Sequence, residues 1–497
     1  MANRIISALL LIIILCALLA GCGKGGGGTA VTTAAADDTT AAAETEPVDA
    51  LEARKLISDD LGDCDFGGRD FRVVVSDGKD DFICIEEATG DVVDDAVYAR
   101  NRDISERFNC TVVIGHTGNY DSCYNWMHNQ IVAGEDAFEL GSVHVVKFGG
   151  VATSGEYLNW YDLPNINFDK PWWSDSNADV LTVNGVCILA VGDFAVTVGQ
   201  TYCVFYNKRL GNDFNVGDIY SIVRGGDWTI DRLVAISKGI YTDVNGNNEE
   251  DNEDIYGFVS NHQSNLNAYL WAFDNPIFTK KGDTIEFTYK SEKLNQIFVK
   301  LNQVFHETEG VRMDISYVGA TGSTHAFSAD MFANSRCVFA NGYIGTSLTD
   351  FRDLEDDFGF LPYPKWDENQ DSYYTQADGH HMILGIPVTI PDTEYVGAVT
   401  EALNAETYKQ VIPAYYDVAL KVKATRDADS VEMLDIITST CVYDFGYVYD
   451  YWKGCSFIIQ RLVKDNNSNF ESHWASQESA VLAHYDKVIE AFMNYGN

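Results

Sequence analysis

The chain has 497 residues, of which 46% are hydrophobic and 12% aromatic, and its 74 acidic and 34 basic side chains give a formal net charge of −40. Such a charge repels nucleic-acid phosphates and anionic lipid head groups, which excludes nucleic-acid binding as a function class. It also makes pairs of carboxylates frequent by chance, so a pair alone is no sign of a glycan-cleaving site.

Arg4 and an apolar run from Ile5 to Leu19, broken only by Ser7, lead through Ala20 and Gly21 to Cys22. The run is shorter than the ~20 residues of a membrane-spanning helix and has no stop-transfer flank, so residues 1–22 read as a secretory signal. Leu19-Ala20-Gly21-Cys22 looks like a bacterial lipobox. Lipidation of Cys22 then leaves an exported chain anchored at the extracellular face of the cell membrane, with an ordinary cleaved signal as the alternative. Residues 23–65 open on glycines and continue in Thr, Ala, Asp and Glu, a composition that buries too little surface to fold and reads as a flexible tether. Gly23, Gly25 and Gly28 fit a dinucleotide-binding spacing, but neither the strand nor the helix that this motif requires flanks them.

From Phe66 onward the sequence suits two α/β lobes of ordinary domain size. Phe71 to Val75 is a β-branched strand, Val97, Asn101, Ile104 and Phe108 recur at helical spacing, and Thr111 to Ile114 is a second strand. This β-α-β opening predicts a mostly parallel sheet covered by helices, with ligands bound beyond the carboxyl ends of its strands. A helix at 122–132 stopped by Gly134, and strands at 138–143, 185–191 and 201–206, continue the pattern. Thr229 is placed to cap a helix. The last hundred residues read as helical, with Tyr395, Val399 and Leu403 on one face. The nine cysteines after Cys22 are scattered singly and odd in number, which argues for free, mostly buried thiols.

Between that capped helix and a strand at 255–259 lies the densest acidic loop. Asp243, Asn245, Asn247, Glu249, Asp251 and Asp254 supply oxygens at positions suited to a 12-residue calcium loop. Asn248 replaces the usual glycine, which Asn can do because it tolerates the left-handed conformation, and Asp254 replaces the usual glutamate. A structural calcium ion and a merely solvated acidic loop are both open.

No enzyme motif is complete. His306-Glu307 begins a zinc-protease pattern that Gly310 ends, and Gly345-Thr346-Ser347 begins a nucleophile elbow that Thr349 ends. The positive signal is aromatic: nine Trp, 27 Tyr and 26 Phe. A sugar ring lays its C–H face on an aromatic ring and offers its hydroxyls to polar side chains. Trp172, Trp173, Trp271, Tyr343 and Trp452 are candidates for stacking, and Asp193 and Asp378 for the hydroxyls. The consecutive pair Trp172-Trp173 after Pro171 is expected to turn at least one ring toward a cleft.

Asp94-Asp95-Ala96-Val97-Tyr98 with Arg100-Asn101, Lys170-Pro171-Trp172-Trp173, Phe205-Tyr206-Asn207-Lys208, Gly226-Asp227-Trp228-Thr229, Asp254-Ile255-Tyr256-Gly257, Pro413-Ala414-Tyr415-Tyr416, Arg426-Asp427 and Met433-Leu434-Asp435 occur in this order. In that order they resemble the extracellular solute-binding lipoproteins of Gram-positive gut anaerobes, which are similar to the maltose-binding (family 1) receptors of ABC transporters. The resemblance implies a two-lobed, type II periplasmic-binding-protein-like fold with a hinge. Lobe 1 is expected at 66–195 plus about 375–404, and lobe 2 at 196–374 plus about 405–497, with the terminal helices mainly on lobe 2. It further implies a monomeric receptor, not an enzyme, that captures a carbohydrate, an oligosaccharide above all, and delivers it to ABC permease subunits. A secreted glycan-cleaving enzyme and a receptor for another solute such as a peptide are the alternatives.

Overall fold

The computed structural model describes residues 50–320, 326–421 and 428–496. The signal, Cys22, most of the tether and Arg426-Asp427 lie outside these residues. The folded body begins before residue 66, which shortens the expected tether. Ala50–Lys55 is a helix, Arg54 lies 4.7 Å over the Tyr408 ring, and Asp59 pairs with Arg107 at 2.5 Å. Composition hides this docking because the apolar contacts come from Ile57, Leu61 and Cys64, spaced among acids and glycines.

Ten strands form the two main sheets: β1 (Arg69–Ser76), β2 (Cys110–Gly118), β3 (Leu140–His144), β4 (Tyr202–Asn207), β5 (Tyr241–Thr242), β6 (Ile255–Val259), β7 (Val311–Arg312), β8 (Cys337–Tyr343), β9 (Phe358–Leu361) and β10 (Met382–Gly385). The first sheet has the order β10-β3-β1-β2, with β1 parallel to both neighbours and β10 antiparallel to β3. The second has the order β9-β4-β8-β6-β5, with β7 also on β6.

Local chemistry sets the covering helices. Asp91 caps α1 (Val92–Phe108) by accepting the N–H groups of Val93 and Asp94, and Asn109 ends it in the left-handed region at φ 47°. Val97, Asn101, Ile104 and Phe108, the stripe expected from spacing, are buried. Asn119 caps α2 (Tyr120–Ala133), and Gly134 stops it at φ 74°. A short α3 (Val145–Gly149) follows β3 directly. In the second lobe α4 (Ser264–Ala272) follows β6 and sets Tyr269 5.9 Å from Phe305 of α5 (Glu292–Glu307). Thr229 does cap its helix, accepting from the Arg232 N–H at 3.2 Å.

The expected strand at 185–191 forms no ladder. Asn177 closes a two-way hydrogen bond with the Val191 backbone at 2.7 and 2.8 Å, Asn159 accepts from Cys187 N–H, and the Trp160 indole donates to Ile188. Side chains thus satisfy the backbone groups that a neighbouring strand would otherwise take. Ala190 alone bridges to Leu384 of β10.

Three segments cross between the lobes side by side. Thr201 bridges to Ala377, Asp378 N–H donates to Gln200 at 2.8 Å, and Thr375–Gln376 pairs with Cys441–Val442. The terminal helices then pack on both lobes, not mainly on the second. α6 (Thr393–Glu406) covers α1, α7 (Ile458–Lys464) lies on α4 and α5, and α8 (Phe470–Met493) reaches from α5 to the first lobe. The chain just before α7 also fits closely on the first lobe: a Cβ at Gly149 or Gly150 would collide with Val448 or Tyr451. The nine described cysteines are all unpaired, six of them buried. Among the described residues no helix is long and apolar enough to cross a membrane.

Candidate functional site

The carboxyl ends of the strands define the site, as the topology of an open parallel sheet requires. Tyr120 follows β2, His144 ends β3, and Val146 and Lys147 follow it on α3. From the second lobe Gln263 and Ser264 lie just beyond β6. The crossing segment Asp378–His380 and the terminal residues Tyr447, Trp452, Phe457 and Gln460 close the sides, and together they enclose a cavity of about 210 Å³. Another cavity, of about 260 Å³, opens where β1 begins. Its charges are already matched, with Arg72 on Glu139 and Asp136 at 2.5 and 2.6 Å and Arg69 on Asp392 at 2.9 Å.

Asp378 lines the first cavity but is itself buried. Its side chain is 3% exposed, and it accepts the Tyr202 hydroxyl at 2.5 Å, the His380 backbone N–H at 3.0 Å and the His380 ring at 2.5 Å. Burial pushes its pKa up, but the bonds and charge of His380 and the Tyr202 hydroxyl outweigh burial and hold it well below the carboxylate range. The same contact raises the pKa of His380, whose side chain is 62% exposed. His144 lies 4.8 Å from the His380 ring and 5.0 Å from Tyr120. Burial first, and the charge of His380 second, lower its pKa to about 3, so His144 is neutral.

The opposite wall is aromatic and strained. Tyr451 and Trp452 both have positive φ, 47° and 61°, a conformation that bulky side chains disfavour. Lys147 holds the first of them, donating to the Tyr451 hydroxyl at 3.0 Å while pairing with Asp121 at 2.6 Å. Trp452 is thereby set 59% exposed, with its ring 4.2 Å from Phe457 at 30° between planes. Gly379 lets the crossing segment run close by, since a Cβ there would meet the Tyr447 hydroxyl at 2.7 Å.

Of the residues singled out from sequence, Asp378 and Trp452 line this cavity together. Trp271 is buried one ring behind it, 5.1 Å from Tyr447, with its indole N–H on Asp444 at 3.1 Å. Tyr343 ends β8 opposite Tyr202, half-buried and outside the lining. Trp172 and Trp173 face no cleft. They are 1% and 3% exposed because each indole N–H finds one oxygen of Glu401 at 2.9 Å, which lets both rings share one core. Asp193 belongs to that region as well: its N–H donates to Trp172, and burial pushes its carboxyl up to about 7 against the pull of Arg54. Tyr120, one of 27 tyrosines, and the polar Lys147, Gln263, Ser264, His380 and Gln460 are not singled out from the sequence. The position of the first four just after a strand end is the signal that finds them.

The acidic loop is ordered by its own groups. Asp243 accepts the N–H of Gly246 and Asn248, while buried Asp254 accepts from Val244, Asp251 and Tyr241. Asn248 is left-handed at φ 59°, as the loop pattern demands of that position. Among the described residues no three acidic, histidine or cysteine side chains converge into a ready ligand set.

The architecture has solved counterparts. An ABC substrate-binding protein from Listeria monocytogenes, in complex with cycloalternan, aligns with a TM-score of 0.51 and 14% identity, covering 85% of this chain and 98% of its own. A cyclo/maltodextrin-binding protein complexed with maltotetraose gives 0.52 and 14%, covering 86% and 98%. The chain has the two-lobed fold of the ABC solute-binding proteins. The GacH receptor of Streptomyces glaucescens, solved unliganded and with acarbose, gives 0.51 and 11% over 86% of this chain and 99% of its own. No protein-family model and no curated protein matches the sequence. The cavity of Asp378 and Trp452 lies between the lobes, with Tyr120 and His144 from the first and Gln263 and Ser264 from the second.

Proposed function

We propose that the chain is the solute receptor of an ABC importer and that it captures a saccharide between its lobes, closing about the three crossing segments. The observation that carries this reading is Trp452, an exposed indole held in a strained conformation beside a hydrogen-bonding wall. Strain of this kind persists where the surrounding structure over-determines it and clusters at ligand sites, and a flat ring with polar neighbours suits a sugar. The cavity, about 210 Å³, is below the roughly 300–1,000 Å³ of sites that enclose drug-sized ligands, which favours a short saccharide or one end of a longer chain. Glycoside hydrolysis needs two carboxylates flanking the bond. Asp378 is the only carboxylate lining the cavity among the described residues, and it is buried, which favours a receptor over an enzyme.

The same proposal includes a structural calcium ion in the loop from Asp243 to Asp254, supported by the left-handed Asn248 and by the crowding of carboxylates that a cation relieves. A thermal-shift screen of the mature protein against oligosaccharides, amino acids and peptides tests both parts. A cognate saccharide raises the melting temperature, and Trp452→Ala abolishes most of that rise while leaving the unliganded temperature unchanged; a rise with peptides alone refutes the saccharide reading. Chelator lowers the baseline and calcium restores it, whereas indifference to both leaves a solvated loop. Membrane anchoring through Cys22 completes the proposal, supported by the lipobox. Cys22→Ser releases the protein from membranes with ligand affinity intact, and continued membrane association rejects the anchor.

A further inference from the structure

The turn that presents Trp452 is built from residues that disfavour its shape. What holds it there adds to the ligand site, a step that rests on the receptor reading above. The Lys453 N–H donates to the Asp450 carbonyl at 3.0 Å, closing a four-residue turn whose central residues, Tyr451 and Trp452, have φ of 47° and 61°. Positive φ at both central positions marks the type I′ class, which favours Asn-Gly, Asp-Gly or Gly-Gly because larger side chains crowd the backbone there. Tyr-Trp offers none of that ease, so local preference alone would relax this stretch and carry the indole elsewhere.

Contacts from outside the turn prevent this. The Lys147 ammonium, anchored by Asp121 at 2.6 Å, donates to the Tyr451 hydroxyl at 3.0 Å. With its charge matched by Asp121, Lys147 acts as a fixed donor to the tyrosine. The Tyr451 side chain lies in a notch over Gly150, where an added Cβ would stand 2.0 Å from the tyrosine Cβ. Gly150 has φ −65°, so glycine is required here for close approach and not for backbone freedom. Asp450 accepts the Ser456 N–H at 3.0 Å, which fixes the entry to the turn.

We propose that Tyr451 is a positioning residue for saccharide binding. Clamped by Lys147 and seated over Gly150, it locks the turn so that Trp452, stacked on Phe457 by one face, holds its other face ready before the sugar arrives. A ring ordered in advance binds more tightly because the cost of ordering it does not fall on the binding step. Neither Tyr451 nor Gly150 lines the cavity, so each can be altered without removing a contact to the sugar.

Fluorine NMR of the whole mature protein labelled with 5-fluorotryptophan, without ligand, followed by titration calorimetry with maltotriose, cellobiose and xylobiose, tests this. Tyr451→Phe, which removes only the hydroxyl, and Gly150→Ala, which fills the notch, should each shift and broaden the Trp452 resonance. They should also weaken the tightest-bound of the three probes by roughly tenfold, with the Trp172 and Trp173 resonances in place to show that the fold is intact. Lys147→Met should do the same, and Lys147→Arg should restore both readouts. An unmoved Trp452 resonance, or undiminished affinity, in Tyr451→Phe and Gly150→Ala alike, with binding still abolished by Trp452→Ala, overturns the positioning role and leaves the receptor standing. Binding that survives Trp452→Ala, or binding of none of the three probes, overturns the saccharide reading and this inference with it.

Discussion

Two pairs of consecutive aromatic residues meet opposite fates in this molecule. Trp172-Trp173 is buried, its two indole N–H groups shared between the oxygens of Glu401. Tyr451-Trp452 is left-handed at both residues, and its tryptophan stands largely in solvent. The difference lies in what each pair finds for its polar atoms and backbone. A carboxylate with two free oxygens makes burial of two indoles possible, because a buried N–H costs little once it is bonded. A lysine that ties down only the tyrosine leaves the tryptophan beside it displayed.

The buried pair carries the larger stability. Trp172→Ala removes a fully packed ring and strands one Glu401 oxygen, and is expected to cost about 3–5 kcal/mol in urea unfolding. Trp452→Ala, at an exposed position, should stay within about 0.5 kcal/mol. Similar losses from the two variants would dissolve the distinction between core pair and displayed pair.

A smaller effect separates the two regions by pH. Burial pushes Glu401 up to about 7 from its ordinary 4.5, partly offset by the hydrogen bonds from Trp173 and Trp172. The folded protein therefore binds this proton more tightly than the unfolded chain. Its contribution to stability is fully present below about pH 4.5 and is lost as pH rises through about 7. Glu401→Gln cannot ionise, so it should flatten that part of the stability curve, at a constant cost for the indole N–H left without an acceptor. An unchanged slope would place the titration elsewhere.

These contrasts mark what the sequence makes legible. The opening β-α-β unit can be read because its information is local: a capping Asp91, a stripe at helical spacing and the stop at Gly134 are all within a few residues of what they control. The two-lobed fold follows from that alternation and from the order of the quoted motifs. Burial of Trp172-Trp173 is not legible, because Glu401 lies more than two hundred residues away. The false strand at 185–191 has the same origin, since side chains of Asn159 and Asn177 take backbone groups there and only Ala190 reaches a neighbouring strand. At the cleft, Trp452 and Asp378 can be named from residue type, but their roles cannot. Asp378 supports His380 from behind, and Trp452 stands beside a tyrosine held by Lys147, 304 residues away in the chain.

Fluorine NMR of the protein labelled with 5-fluorotryptophan tests the central claim most directly, because each of the nine tryptophans reports separately. Saturating a cognate saccharide should shift the Trp452 resonance, assigned by its loss in Trp452→Phe, and leave those of Trp172 and Trp173 in place. A shift at Trp172 or Trp173 with Trp452 unmoved would contradict the account, because it would put the ligand against the pair that the structure buries.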